Sequence, residues 1–178
     1  MIDASGVLVV VENERDEPTS LSYEVLGLAR RLGDEMGVKV AALALGNGLS
    51  EIGAELLTHG ADRVYLVDDP ALDPYQADAW LPDVVEIARS IAPAAILIGH
   101  STTGADLAPR LAFRLDTAVA TACIEVRVDA GRLLLTRTCF GGKAHEVSSF
   151  VTAPIVATIQ PKTQEAMSPD PDWAGEVV

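Results

Sequence analysis

The sequence predicts an α/β fold of three layers, α/β/α, with a mainly parallel sheet and extra antiparallel strands in the last third. Two observations carry that prediction. Across the first two-thirds of the 178 residues, short continuous apolar runs alternate with segments whose apolar residues recur at helical spacing. Beyond residue 116 the helical stripe stops, and β-type runs separated by turn residues take over. Strand–helix alternation in that order calls for parallel pairing with right-handed crossovers.

The elements follow in order. "GVLVVVE" (6–12) is apolar and β-branched throughout, which suits a strand covered on both faces. "NERDEPTS" is polar and turn-forming. From 20 to 36, Leu21, Val25, Leu28, Leu32 and Met36 share one helical face, with Arg30, Arg31 and Glu35 off it; Gly37 ends the helix. "VKVAALALG" (38–46) is a second buried strand, and Ser50 to Gly60 a short helix with His59 near its C-terminal dipole. "DRVYLVDD" (62–69) is a third strand. Residues 70–93 begin as loop and become a helix with Leu81, Val84, Val85, Ala88 and Ile91 inward and Trp80 packing at its entry. Pro82 is expected in that helix's first turn, where a missing N–H costs nothing. "AAILIGH" (94–100) is the fourth buried strand. The later strands are joined by turns at "DAG", "GGK" and "TAP".

Composition bounds the function. The chain is 49% hydrophobic and 22% charged, enough for a large core. Its formal net charge of −13 argues against a nucleic-acid partner and against docking on an anionic membrane. No window is long and apolar enough to insert in a bilayer, and the start "MIDASGVLVVVENE" lacks the basic opening of a signal peptide. Cys123 and Cys139 are too few for a disulfide framework or a metal cluster, and both read as buried core thiols. Residues 1–162 read as one domain. Residues 163–178, "TQEAMSPDPDWAGEVV", read as an acidic, proline-containing linker or tail, whose closing Val177 and Val178 are either the first strand of something further on or a chance apolar ending.

The stretch "GHSTTGADLAPRLAFRL" (99–115) has the look of a phosphate cradle. Gly99 and Gly104 have the spacing of a phosphate-binding P-loop, but Ala105 and Asp106 stand where Lys and Ser or Thr are needed. The dinucleotide fingerprint is missing. His100, Ser101 and Asp106 do not make a triad, because neighbours on an extended segment point opposite ways. Pro109 keeps its helix free of a lost bond only at the third helical position or earlier, so the N-cap is expected at Asp106 or beyond, with 99–105 a loop. Gly99, Ser101, Thr102, Thr103 and Gly104 are then the candidate cofactor-binding residues, at the carboxyl edge of the sheet. Asp106 already holds the anion position, which weighs toward packing or partner contact. A stand-alone adenine-nucleotide-binding module stays open as the alternative. No paired carboxylates, metal cluster or activated nucleophile marks a self-sufficient enzyme; catalytic and metal residues are expected to be none.

"ILIGHSTTGADLAPRLAFRLDTAVAT" resembles the signature segment of the electron transfer flavoprotein α subunit, N-terminal domain. "EVLGLARRLG", "GADRVYLVDDPAL", "TRTCFGGKA" and "PIVATIQP" resemble other parts of that family in the same order, so the likeness spans about residues 6 to 162. Where the family has "TVRPG", this chain has Thr158 to Lys162 as "TIQPK", and the contact made by that arginine is not expected here. The resemblance implies a fold like that of the adenine nucleotide α-hydrolases and pairing with a β subunit that often carries AMP. It implies FAD held mainly by a separate C-terminal domain of the α subunit, and electrons passing from dehydrogenases to a quinone-linked acceptor. The chain is therefore expected to be an N-terminal portion or a short relative of that subunit. It should be an electron-carrier component and not a catalyst, binding no cofactor stably alone. Arg110, Arg137, Gly141, Gly142 and Lys143 are the expected partner contacts. Its expected place is the bacterial or archaeal cytoplasm, or the mitochondrial matrix after processing.

Overall fold

The computed structural model describes residues 6–14 and 17–178. Residues 1–5, and residues 15 and 16 of the stretch read as a turn, lie outside the described part. β1 (Val7–Val11) is buried along its whole length, as its unbroken run of β-branched residues requires. Asn13–Glu14 (β2) and Glu17–Pro18 (β3) form a short antiparallel ladder inside that turn segment. α1 (Ser20–Met36) starts at Thr19, whose Oγ1 accepts from the Ser22 N–H at 3.2 Å, and stops at Gly37 with φ of 68°. Then come β4 (Val40–Gly46), α2 (Ile52–Thr58), β5 (Arg63–Asp68), α3 (Ala77–Ile91), β6 (Ala95–Gly99) and α4 (Thr102–Arg114). The last third supplies β7 (Val119–Asp129), β8 (Arg132–Cys139), β9 (Ala144–Ser148), β10 (Ile155–Ile159) and β11 (Glu176–Val177).

One sheet has the order β11-β5-β4-β1-β6-β10-β7-β8-β9. Pairing is parallel from β11 through β7 and antiparallel from β7 through β9. The α/β reading with an antiparallel addition is therefore what the chain forms. Two cores cover the two faces of the sheet. One holds Val25, Leu28 and Leu32 of α1 with Ile52 and Leu56 of α2; the other holds Trp80, Leu81 and Val84 of α3 with Leu107 and Leu111 of α4. Burying each large side chain contributes roughly 1.5–3 kcal/mol. The chain steps outward from β1 to β4 and β5, then returns to β6 on the other side of β1. That reversal opens a crevice at the carboxyl edge between them.

Three sequence expectations change. Pro82 is the sixth residue of α3, beyond the first turn. It sits on the solvent face with Asp78, so water can serve the carbonyl that its ring leaves without a donor. Cys139 is half-exposed beside Glu146, while Cys123 is buried and its thiol is pushed up to about 11 by that burial. Arg30, off the apolar stripe of its helix, is nonetheless buried, since Asp62 and the Gly60 carbonyl receive it at 2.9 and 3.3 Å.

The sixteen-residue tail, 163–178, is docked. Gln164 Nε2 donates to the Ile124 carbonyl at 2.9 Å and Trp173 Nε1 to the Ala61 carbonyl at 3.1 Å. Trp173 lies over the Arg30 guanidinium, 5.4 Å from its centre. The segment crosses α1 at Gly27, where a Cβ would meet the Glu165 carbonyl oxygen at 2.3 Å. Val177 lies in a strand, β11, that extends this sheet by pairing with Val64.

Candidate functional site at the carboxyl edge

β6 delivers the chain to the crevice, and α4 begins there at once. Ser101 is the N-cap: its Oγ accepts from the Gly104 N–H at 3.0 Å. The loop read over 99–105 is thus mostly helix, and Asp106 is not the cap. Pro109 is the eighth residue of α4. It is tolerated because Pro109 and Ala105, whose carbonyl loses its donor, both face solvent. Asp106 serves elsewhere, accepting from Arg110 Nε and from the Tyr75 hydroxyl, each at 3.0 Å.

The small residues answer to packing. A Cβ on Gly104 would lie 1.8 Å from the Gly99 carbonyl oxygen, so the first turn of α4 rests on the end of β6. A Cβ on Gly99 would lie 2.5 Å from Leu21 Cδ2. Ser101 Oγ has a second task, donating to the Glu12 carboxylate at 2.7 Å. Burial holds the Glu12 carboxyl above its ordinary value; the Ser101 hydroxyl offsets part of this, and Glu14 adds to it. A carboxylate of the chain itself thus stands by the helix start, where an anionic ligand would bind.

The crevice has a volume of about 110 Å³ and is walled by Glu12, Asn13 and Glu14, by Gly46, by Asp73, Tyr75 and Trp80, and by Thr103. Trp80 is buried, donates Nε1–H to the Leu72 carbonyl at 2.8 Å, and meets Tyr75 edge-on with centroids 5.1 Å apart. Burial and the neighbouring Asp106 hold the Tyr75 phenol above its ordinary value, so it stays a donor. The opening is small and rich in carboxylates.

Of the candidate cofactor residues, Gly99 and Gly104 are buried, Ser101 is committed twice, Thr102 faces solvent and Thr103 lines the crevice. His100 Nδ1 meets Thr158 Oγ1 at 2.8 Å, so His100, Ser101 and Asp106 go to three separate partners. The candidate partner contacts fall on two elements. Arg110 is on α4, paired with Asp106. Arg137 is on β8, paired with Glu146 at 2.9 Å, and that pairing lowers the Glu146 carboxyl. Gly141, Gly142 and Lys143 form the exposed turn from β8 to β9. Glu12 and Tyr75 escaped the sequence reading. For Glu12 a signal existed: an acid directly after the first strand of a doubly wound sheet faces the helix start that follows the strand across the switch point.

Fold and site together define a doubly wound α/β domain whose switch-point crevice is lined by the chain's own carboxylates. Residues 7–178 match the family model described as "Electron transfer flavoprotein domain", and the chain belongs to that family. It is 36% identical to "Protein FixB" of Clostridium saccharobutylicum over 171 residues, 94% of this chain and 51% of that one. It is 32% and 30% identical to the electron transfer flavoprotein subunit alpha of Thermoanaerobacterium thermosaccharolyticum and of Megasphaera elsdenii; each alignment covers 100% of this chain and 54% of the relative. The chain spans about half the length of these curated relatives. Among the described residues no helix is long and apolar enough to cross a membrane.

Proposed function

We propose that this chain works as the N-terminal part of an electron transfer flavoprotein α subunit, a scaffold that pairs with a β subunit and helps to place a flavin held elsewhere. The observation that carries the reading is the match to the family over residues 7–178 combined with a crevice lined by the chain's own carboxylates. Glu12 and Ser101 bond to each other at the helix start, and the walls add Glu14 and Asp73, an environment that repels phosphate. FAD then belongs mainly to a C-terminal domain, and AMP, where present, to the β partner. Electrons enter from a dehydrogenase and leave toward a quinone-linked acceptor, with no catalysis by this chain itself. Arg110, Arg137, Gly141, Gly142 and Lys143 are its partner contacts, and the cytoplasm is its place of work.

The test has two parts. The purified chain should be colourless and should bind AMP, ATP and FAD no more tightly than millimolar in calorimetry. Mixed with an electron transfer flavoprotein β subunit, it should co-elute in size exclusion. A yellow chain, or independent elution of the two proteins, contradicts the reading.

A further inference from the structure

The two outer edges of the sheet are treated differently. At one edge the chain's own β11 pairs with β5, and Arg63 bonds to Glu176 across the pair. At the other edge β9 is exposed almost throughout, and among the described residues no strand pairs with its outer side. β9 contains neither Pro nor Lys, and its one carboxylate, Glu146, is paired with Arg137 of β8.

Around that open edge the surface is apolar and basic. Phe140 is 84% exposed and Val147 56% exposed. Phe140 also has φ of 52°, an unfavourable region for a bulky residue, yet its ring gains no burial within this chain. Strain at an exposed aromatic points to a use outside the chain. Across the arm, residues 119–148, the four basic groups Arg127, Arg132, Arg137 and Lys143 stand against the three acids Glu125, Asp129 and Glu146, a local excess of positive charge in a chain of net charge −13. Arg132 and Lys143 make no ion pair among the described residues.

We propose that β9 is a strand-addition site for the partner subunit, whose strand pairs with the outer edge of β9 and presents apolar side chains flanked by carboxylates to Phe140, Val147 and Lys143. This rests on the subunit reading above and deepens it, naming the surface and its complement. Backbone bonds to β9 supply adhesion, while the aromatic anchor and the local positive charge supply selection. The acidic remainder of this chain disfavours an unpaired, non-specific approach of acidic proteins elsewhere on its surface.

The test titrates the β subunit of the same organism into the wild-type chain and into Phe140→Asp and Val147→Asp by calorimetry, with amide hydrogen exchange on each mixture. Both positions are exposed, so the variants should keep the wild-type melting temperature, which circular dichroism checks. The expected result is binding weakened at least about tenfold in each variant, with slowed exchange of residues 144–148 in the wild-type complex. Undiminished binding of both variants, or unchanged exchange at 144–148, overturns the strand-addition site and leaves the subunit reading standing. No binding by the wild-type chain overturns both. Slowed exchange at 144–148 with the chain alone at high concentration overturns the occupant in favour of a second copy.

Discussion

The parallel half of the sheet and its antiparallel arm are built on opposite terms. β1, β6 and β10 are buried at every position, each set between two parallel neighbours, and β1 is packed under helices from both cores. β9 is exposed at four of its five positions. β7 alternates between the two regimes, burying Cys123 and Val126 and exposing Glu125 and Arg127. The difference separates two duties. The parallel half holds the fold together, and the arm carries surface that the fold itself does not use.

Matched truncations break or sharpen that comparison. Leu97→Ala, in β6, should cost roughly 3 kcal/mol in urea denaturation, while Val147→Ala, in β9, should stay within about 0.5 kcal/mol. Equal losses would erase the distinction. Gly104→Ala tests the seam between α4 and β6. With a Cβ 1.8 Å from the Gly99 oxygen, it should cost about 2–3 kcal/mol; a neutral result means that α4 can shift freely.

Trp173→Ala tests whether the closed edge depends on the docked tail. A loss of about 1 kcal/mol is expected from the Ala61 bond and the Arg30 contact. Amides of residues 63–68 should exchange faster, with no change at 144–148. The smallest effect is at Glu12. Its native carboxyl is held above the ordinary value, so the native state is favoured while the group is protonated and loses that advantage as pH rises through the raised value. The stability of Glu12→Gln relative to the wild-type protein should therefore grow as pH rises from acid toward neutral. A flat or falling difference contradicts the desolvated site.

Much of this was legible in the sequence, for reasons that explain what was not. Unbroken apolar runs such as Val7 to Val11 and Ile96 to Ile98 have one satisfactory environment, a strand covered on both faces, and that is where they lie. The stripe of Leu28 and Leu32 and the stop at Gly37 are local signals of the same strength. The start of α4 was misplaced because the proline rule assumes that a lost helical bond is costly. At Pro109 and Pro82 the freed carbonyls belong to exposed residues, Ala105 and Asp78, where water can serve them, and the proline rule takes no account of that exposure. The capping duty moved from Asp106 to Ser101 for a long-range reason, the contact with Glu12 across eighty-nine positions. Arg30 and the tail share this cause. A polar residue and an acidic segment look solvated one at a time, and they become buried or docked only together.

Sedimentation of the chain with and without an electron transfer flavoprotein β subunit tests the central claim most directly. The account predicts a colourless chain that shifts to the mass of a one-to-one complex when the β subunit is added. Separate sedimentation of the two proteins at equal, saturating concentrations would contradict it.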